Sequence, residues 1–544
     1  MYKKMFESIA TARIAFLLSI TFFLPLSADC FGIAHTSDVF RTTTAFESSL
    51  IHLYGVTNDD ASSNDVREEK VSVCIIGGGV SGLVAAQTVA QQSTKLIANT
   101  NNGNDMKKVV LVEASSTFGG RVQSDKTPDG FTLDRGFAVF IEEYPYSKQL
   151  LDYDALNLQQ FLPGALVKVP SSSDDDNHLA RVSDPLRRPQ DTLVAIMSPI
   201  GTLVDKIKTV PLLLHVFSNS IEELFEEDEI STLTCLTERW GFSDDMVSKF
   251  FRPFLEGIYL CPLEEQSSRM FHFVMKMFSE GAAALPAGGM QTVTDQLVEK
   301  AQATGIVDLR LEKPVTSLRI GKDGNFRVSC SNAGTIIADK VIVATEGNVA
   351  QHLISGLTGY EDFQSLPEQP QRSVGCLYYT FKTEAPVLDP ILILSGIGEK
   401  RGSAKSPINN VCFPSVVNNG FAPDGYSLCS VTVLRDAMDM YRGQEAELDT
   451  VVRQELADWF PDYAADIMEE WEFKGSYNIQ NAQPAHLGGP APANVHQGRD
   501  CSVFRGKQLP QGIFICGDHM ATSTLNGALQ SGVSAGSAAA LELL

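Results

Sequence analysis

The chain has 544 residues, of which 44% are hydrophobic and 20% are charged, so it is neither wholly disordered nor a membrane protein with many spans. Acidic residues outnumber basic ones by 66 to 43, which gives a net charge of −23 and disfavours nucleic acid as a partner. The ten cysteines form no CxxC pair and show no ligand spacing, so no metal site is predicted.

The first 70 residues are predicted to precede the folded region. Residues 1–30 combine a basic start, an apolar run and small residues, which is the pattern of a signal peptide, with an uncleaved anchor as the alternative. Residues 31–70 start with Phe31 and are mostly polar. This leader resembles the two-part plastid-targeting leader of algae with complex plastids. We expect plastid import, with ordinary secretion as the alternative, and a fold that starts at Val71.

A strand, a glycine-rich turn and a helix open the fold. Residues 71–76 have the composition of a buried strand, and the sequence GGGVSG follows directly. Gly77 permits the turn, Gly79 lets the backbone approach a pyrophosphate, and Gly82 allows the helix to pack closely on the strand. Ser81 lies at the helix N-terminus, where free N–H groups bind phosphate. The pattern predicts dinucleotide binding.

An acidic residue ends the second predicted strand, 108–113. Glu113 is expected to accept hydrogen bonds from an adenosine ribose, and a solvated strand-end carboxylate is the alternative reading. The spacing from Gly82 is longer than usual because a polar loop, 98–105, lies between helix and strand.

The residues after Glu113 resemble a known flavin family. The segment EASSTFGGRV is similar to the second nucleotide motif of the family that contains monoamine oxidase, protoporphyrinogen oxidase and phytoene desaturase. The resemblance implies FAD as the cofactor, with Ala114, Gly120 and Arg121 in contact with it. It also implies that Gly136 lies beside the flavin ring.

The end of the chain resembles the last flavin motif of the same family. A strand-like run leads to Gly517 and Asp518, and a helix rich in small residues begins near Asn526 and Ala528. The resemblance implies that Asp518 contacts the ribitol chain and that the other three residues also contact FAD. The helix N-terminus would face the flavin, where its partial positive charge suits a reduced, anionic ring.

The resemblance covers nearly the whole chain from Val71 and implies an α/β, amine-oxidase-like fold. In this fold a Rossmann-like FAD-binding domain is interleaved with an α+β substrate domain. The predicted FAD-binding segments are 71–145, 284–350 and 506–544, and the predicted substrate segments are 146–283, mostly helical, and 351–505, mostly strands. Backbone at Val315 is implied to hold the adenine, and 250–290 resembles the phytoene-dehydrogenase-like subgroup.

These motifs predict an FAD-dependent oxidoreductase. Amine oxidases of the family have an aromatic residue where Leu525 stands, so an apolar substrate is favoured. We expect hydride transfer from a C–H bond to flavin, giving a double bond in an isoprenoid or carotenoid-like substrate. The alternatives are oxidation of an amine or a porphyrinogen, redox-neutral carotenoid isomerisation or hydration, and an inactive lipid-binding flavoprotein. No catalytic residue is assigned, because His519 serves equally well as a structural group.

One stretch of the substrate region predicts a membrane surface as a partner. Residues 203–217 place apolar residues beside Lys206 and Lys208, whose side chains are expected to reach lipid headgroups. The alternative is an internal helix. The acidic runs 174–176 and 226–229 are expected to be solvated, and the phenylalanine-rich stretches to be core more than tunnel lining.

Overall fold

A computed structural model describes residues 68–100, 108–136, 138–170, 179–183, 187–331, 334–485 and 498–543. The predicted signal peptide and the leader up to residue 67 lie outside the described residues. The first strand starts at Glu68. The sheet therefore begins three residues before Val71, which was the predicted start of the fold.

A seven-stranded sheet, here called the nucleotide sheet, contains segments from both ends of the chain. Its strands lie in the order Val307–Arg310, Val109–Val112, Glu68–Ile76, Gly334–Val343, Phe326–Cys330 and Val315–Ile320, with Ile513–Ile515 on Gly334–Val343. The strands Phe326–Cys330 and Val315–Ile320 pair antiparallel, whereas Ile513–Ile515 pairs parallel. The edge strand Val307–Arg310 was not predicted.

Both faces of the nucleotide sheet are buried. Along the first strand, Val73 and Ile75 belong to one hydrophobic cluster, whereas Cys74 and Ile76 belong to another. Successive side chains of a strand point to opposite faces. The sequence of a strand that is covered on both faces is therefore apolar along nearly its whole length, as it is over residues 71–76.

A second seven-stranded sheet, here called the substrate sheet, is mostly antiparallel. Its strands lie in the order Glu472–Pro484, Gln371–Phe381, Ser427–Leu434, Ile408–Cys412, Leu392–Ser395, Gly164–Lys168 and Leu179–Ser183. The last two come from the segment that was predicted to be mostly helical, 146–283. These two strands are short and pair with each other, and Gly164–Lys168 also pairs with Leu392–Ser395, more than 200 residues away along the chain, so local sequence gave little indication of them.

Three small sheets join the larger elements. They are Phe140–Ile141 with Ala283–Leu285 and Gln159–Gln160, Ser124–Lys126 with Thr132–Asp134, and Val503–Phe504 with Lys507–Gln508.

The helices fall into two groups. Those beside the nucleotide sheet are Val80–Thr100, Pro145–Leu150, Tyr153–Leu156, Gln291–Gln302, Gly347–Ser355 and Leu525–Leu541. Those of the substrate region are Thr192–Met197, Leu203–Ser218, Ile221–Glu226, Thr232–Thr234, Asp244–Met246, Arg252–Tyr259, Ser268–Glu280, Pro414–Val417, Arg435–Met440, Glu445–Trp459 and Ala464–Glu469. No helix within the described ranges combines the length and the apolar composition that a membrane crossing requires.

Within the segment 146–283, which was predicted to be mostly helical, the stretch 244–277 is not one continuous helix. A π-helical turn, Val247–Phe251, precedes Arg252–Tyr259, and Leu260 then ends that helix in the left-handed conformation, with φ +55°. Phe251 and Phe273 are buried in one large cluster of the substrate region. Their position agrees with the expectation that these aromatic residues form core.

The first and last helices of the fold lie in close contact. A Cβ atom on Gly532 would lie 2.4 Å from the Ser81 carbonyl oxygen, and one on Gly536 would lie 2.7 Å from that of Ala85. Two glycines one turn apart therefore leave room for the neighbouring backbone. The contact holds together segments that are about 450 residues apart in the sequence.

We predict that Gly532→Ala destabilises the protein by about 1–3 kcal/mol, because the added methyl group forces the two helices apart. Chemical denaturation followed by tryptophan fluorescence measures this change. Leu541→Ala is the control, since Leu541 lies on the same helix but is 62% exposed. Equal stability of Gly532→Ala and the wild type would contradict the tight contact.

Candidate functional site

The glycine-rich turn lies where the first strand meets its helix. Gly77 has φ +111°, and its N–H donates to the Val112 carbonyl at 2.9 Å. Cβ atoms on Gly77 and Gly82 would lie 2.6 and 2.0 Å from backbone oxygens, whereas one on Gly79 would meet nothing closer than 3.9 Å. Close packing of the neighbouring backbone thus requires glycine at positions 77 and 82, whereas Gly79 faces open space.

Glu113 lies directly beside this turn. Its Oε2 accepts a hydrogen bond from Gly78 N at 2.6 Å, and its Oε1 accepts one from Ser115 N at 2.8 Å. The carboxylate therefore has a fixed orientation and is not a freely solvated strand end. Ala114 and Gly120 are exposed, and Gly120 has φ +62°.

Val315 is brought to the same corner by backbone hydrogen bonds. Lys313 N donates to the Glu113 carbonyl at 2.8 Å, and Glu113 N donates to the Arg310 carbonyl at 2.8 Å. The strand that begins at Val315 therefore starts two residues after Lys313, which is hydrogen-bonded to Glu113. The predicted residues of this half of the site lie together.

An ion pair joins the two halves of the site. Nη1 and Nη2 of Arg121 each donate to one oxygen of Asp518 at 2.7 Å, and Nη1 also donates to the Ala482 carbonyl at 3.1 Å. Arg121 and Asp518 were predicted to contact different parts of the cofactor. Their mutual pairing was not predicted.

The C-terminal turn is held in place by its own helix. Gly517 has φ +148°, and its N–H donates to Ser531 Oγ at 2.9 Å. Thr524 caps the helix by accepting a hydrogen bond from Gly527 N. Asn526 Oδ1 accepts one from Tyr146 N at 2.9 Å. The small, buried Ala528 follows, and Ser531 is a contributor that sequence reasoning missed.

The family model for flavin containing amine oxidoreductases matches residues 80–540. The chain belongs to this family. It is an FAD-dependent oxidoreductase.

The chain is also similar to individual proteins. A 15-cis-phytoene desaturase, chloroplastic/chromoplastic, from Capsicum annuum is 21% identical over 307 residues, which are 55% of this chain and 49% of that protein. The match therefore spans about half the length of that relative.

Solved structures share the fold. A candidate protoporphyrinogen oxidase from Exiguobacterium sp. 255-15 has a TM-score of 0.59 and 18% identity, covering 87% of this chain and 99% of that structure. Cyclohexylamine oxidase from Brevibacterium oxydans IH-35A has a TM-score of 0.58 and 16% identity, with coverages of 87% and 99%. The predicted amine-oxidase-like two-domain fold is confirmed.

The residues present fit FAD. The open space at Gly79 lies at the N-terminus of the first helix, where unpaired N–H groups and the helix dipole favour a pyrophosphate. Glu113 stands beside it at the end of the second strand, as a ribose partner requires. Gly517 and the N-terminus of the last helix are placed for the other end of the cofactor. When bound, FAD supplies the redox chemistry, and the chain supplies orientation and a dry environment.

A buried carboxyl group anchors the segment that returns from the substrate region. Asp134 is 4% exposed, and its Oδ1 accepts hydrogen bonds from Met290 N, at 2.9 Å, and from Ser124 Oγ. Two residues later, Gly136 has φ +97°, and a Cβ atom on it would lie 2.9 Å from Ile479 of the substrate sheet. The loop implied to lie beside the flavin ring is therefore clamped between both domains.

Leu525 lies at the boundary between the two main hydrophobic clusters. It is half-buried and packs against both of them at the N-terminus of the last helix. Nearby, the ring of Tyr144 stacks on Phe273 with centroids 6.1 Å apart, and the Tyr144 hydroxyl interacts with Thr524. The wall next to the helix N-terminus is therefore apolar and aromatic.

His519 is enclosed behind the C-terminal turn. It is 3% exposed, its ring lies edge-on to Phe504, and a Cβ atom on Gly517 would lie 2.5 Å from it. Burial lowers the pKa of His519 to about 4, so the ring is neutral near pH 7. These contacts favour the structural role over a catalytic one.

A second ionisable cluster lies in the substrate region. Glu227 accepts a hydrogen bond from Arg239 at 2.7 Å, and its carboxylate oxygens lie 3.0 Å from His272 Nδ1 and 2.6 Å from His215 Nε2. Despite its burial, the bonds from His272 and Arg239 hold the pKa of Glu227 at about 2. The acidic run 226–229 was expected to be solvated, and for Glu227 that expectation is wrong.

The same cluster is poorly suited to a metal ion, although two imidazoles and a carboxylate meet there. Trp240 Nε1 is a donor only, and it lies 3.1 Å from His272 Nε2. This contact places the imidazole proton on Nδ1, which faces Glu227. The nitrogen that a metal would need is therefore occupied by a proton.

We predict that Glu113→Ala lowers FAD affinity about ten- to a hundredfold, because the variant loses a charge-assisted hydrogen bond to ribose. Fluorescence of released FAD after dilution measures this affinity. Glu299→Ala, on an exposed helix position, is the control. Unchanged affinity in Glu113→Ala would show that Glu113 is not the residue that binds the ribose.

We predict a pH-dependent effect of Asp134→Asn. Burial raises the pKa of Asp134 to about 6, so its stabilising contribution is complete below its ordinary value near 4 and declines as the pH rises towards 6. Asn keeps an oxygen acceptor but has no charge to desolvate. The variant should nearly match the wild type at pH 4 and below, and exceed its stability near pH 7 by about 3 kcal/mol.

Denaturation midpoints at both pH values measure this difference. Asp424→Asn, at an exposed position, is the control. Parallel pH profiles of Asp134→Asn and the wild type would contradict the argument.

Proposed function

We propose that the enzyme dehydrogenates an isoprenoid or carotenoid-like substrate with a mainly apolar body. The observation that carries this proposal is Leu525, which gives the helix N-terminus an apolar wall that is continuous with the core of the substrate region. The phytoene desaturase of Capsicum annuum, at 21% identity, supports the same substrate class. Bound FAD would accept a hydride from a C–H bond of the substrate, and the loss of a proton from the neighbouring carbon would complete the double bond.

The decisive experiment mixes the purified yellow enzyme with candidate substrates in the absence of oxygen. Phytoene in detergent micelles should bleach the oxidised flavin with the stoichiometry of one double bond formed per FAD. Bleaching by cyclohexylamine or by a porphyrinogen, but not by phytoene, would contradict the proposed substrate class and indicate an amine or a porphyrinogen as the substrate. Substrate conversion without bleaching would indicate redox-neutral chemistry.

We predict that Leu525→Ala slows this bleaching about tenfold, because the substrate loses a packing contact worth roughly 1–2 kcal/mol at the reacting end. Stopped-flow absorbance measures the rate. Leu541→Ala, on the exposed side of the same helix, should react like the wild type. Equal rates for Leu525→Ala and the wild type would remove Leu525 from the substrate wall.

We propose import into a plastid as the destination of the chain. Support comes from the leader pattern at 1–70 and from the chloroplast location in the name of the Capsicum annuum relative. Residues 1–70 fused to a fluorescent protein should reach the plastid stroma, and Phe31→Ser should stop the fusion before it. Secretion of the unmodified fusion would contradict the proposal.

We also propose that two helices of the substrate region dock on a membrane surface. Their exposed apolar side chains, here called the apolar patch, are Leu193, Val194, Ile196, Met197, Leu203, Val204, Ile207, Leu214 and Phe217. Over 192–217 the single acidic residue is Asp205, which is 1% exposed and hydrogen-bonded to Thr202 and Ser243. A patch without exposed carboxylates, in a chain of net charge −23, fits a lipid surface.

The two lysines do not have the role expected from the sequence. Lys206 Nζ donates to the carbonyl oxygens of Ile196, at 2.7 Å, and Ser198, at 2.6 Å, and Lys208 Nζ donates to that of Gly241. Both ammonium groups therefore fix the helices and are not free to reach headgroups. Docking should depend on apolar contact and only weakly on anionic lipid.

Co-sedimentation with phosphatidylcholine vesicles, with and without phosphatidylglycerol, tests this docking. The double variant Leu193→Ser/Met197→Ser should lose binding to both kinds of vesicle. Leu541→Ser, which removes an exposed leucine elsewhere, should keep it. A wild-type enzyme that stays in the supernatant would contradict the proposal.

A further inference from the structure

A buried cation of the substrate sheet lacks a counter-charge. Arg372 is 5% exposed, and the only hydrogen bond of its side chain within the described residues runs from Nη1 to the Tyr259 carbonyl oxygen at 2.8 Å. Its Nε is buried without a partner. No described carboxylate forms an ion pair with it. Buried charges in proteins are almost always paired, so this guanidinium is incomplete as it stands.

The side chain of Tyr259 is a second buried polar group without a partner. Tyr259 is 2% exposed, and its hydroxyl makes no hydrogen bond within the described residues. Arg372 Nη1 contacts the backbone carbonyl of this same residue. A cationic donor and a neutral donor, both with unsatisfied polar atoms, therefore belong to two residues in direct contact.

Both groups face the region next to the last helix. Arg372 and Val374 lie on the same face of their strand, and Val374 contacts the Cβ position of Gly136 at 4.0 Å. Tyr259 belongs to the same hydrophobic cluster as Tyr144, and Leu525 packs against that cluster. Arg372 and Tyr259 thus belong to the part of the substrate region that packs against Gly136 and Leu525.

Helix capping accounts for only part of this arrangement. Arg372 binds the last turn of the helix Arg252–Tyr259, as does Gln483, whose Nε2 donates to the Ile258 carbonyl at 2.9 Å. That contact uses one of the five N–H groups of a guanidinium. The segment that follows the neighbouring strand, 486–497, contains no Asp or Glu that could neutralise the charge.

We infer that Arg372 and Tyr259 bind a carboxylate at one end of an otherwise apolar substrate. The inference rests on the proposed function and makes it more specific, because it replaces a pure hydrocarbon by an acid with a long apolar body. An ammonium group is disfavoured at this position by the same unpaired positive charge. The carboxylate could belong to an isoprenoid acid or to a porphyrinogen side chain.

Binding to the FAD-loaded enzyme tests this inference without turnover. The probes are geranylgeranoic acid, its methyl ester, geranylgeraniol and coproporphyrin, and the readout is the change in flavin absorbance on titration. The wild type should bind the acid about ten- to a hundredfold more tightly than the ester or the alcohol. Equal affinity for acid, ester and alcohol, with no tight binding of coproporphyrin, would overturn the inference.

Variants test which residues cause the preference for the acid over the ester and the alcohol. Arg372→Gln should abolish the preference for acid, Arg372→Lys should keep part of it, and Tyr259→Phe should weaken acid binding several-fold. Gln483→Ala is the matched control, since it removes a hydrogen bond to the same helix end and should keep the preference. An undiminished preference in Arg372→Gln would overturn the assignment. If Arg372→Gln does not fold, the wild-type comparison and Tyr259→Phe decide.

The remaining outcomes separate this inference from the proposed function. Tight binding of coproporphyrin that depends on Arg372, without tight binding of the isoprenoid acid, would support the carboxylate site. It would also indicate a porphyrinogen, and not an isoprenoid, as the substrate. Acid binding without anaerobic flavin reduction by any isoprenoid would support the site and contradict the proposed reaction. Flavin reduction by phytoene, together with equal affinity for the acid and its ester, would support the proposed reaction and contradict the carboxylate site.

Discussion

The close contact between the first and last helices determines where everything else in the molecule can lie. Gly532 and Gly536 bring one helix onto the backbone of the other at Ser81 and Ala85. The first helix starts at the glycine-rich turn, and the last starts just after the Gly-Asp turn. Because both N-termini are predicted to face the same cofactor, the contact would set the distance between the two positive helix ends on either side of it. Backbone packing, rather than a flexible side chain, therefore fixes the span of the cofactor site.

This contact also explains how the substrate region can be inserted in two long pieces. The chain leaves the nucleotide sheet and returns to it twice, and each return is tied to the cofactor side. Asp134 accepts a hydrogen bond from Met290 N at the first return, and Arg121 holds Asp518 at the second. With these ties in place, the substrate sheet can vary in sequence without moving the nucleotide turn. Such a division suits a family whose members act on different substrates.

Sequence predicted the parts of the site that depend on local backbone constraints. Gly77 and Gly82 are recognisable because a residue with a Cβ atom would clash with backbone oxygens at both positions, and because a φ of +111° at Gly77 strongly favours glycine. Contacts between distant segments were not predictable in this way. Asp518 pairs with Arg121 across 397 residues, and Lys206 binds backbone carbonyls, although its sequence context suggested a free surface charge. A charged side chain carries no local signal of which distant partner will satisfy it.

The substrate side combines an apolar wall with a buried guanidinium, Arg372, that no carboxylate of the described residues neutralises. In a low-dielectric environment an unpaired guanidinium is costly, so Arg372 would destabilise the protein unless its charge were used. Apolar contacts such as those beside Leu525 would not by themselves fix the orientation of an apolar ligand, because the hydrophobic effect has no direction. On the assignment proposed above, the charge of Arg372 would admit a ligand with a matching anion in one orientation and would reject an ammonium group. Affinity would then come from the apolar wall, and orientation relative to the cofactor from Arg372.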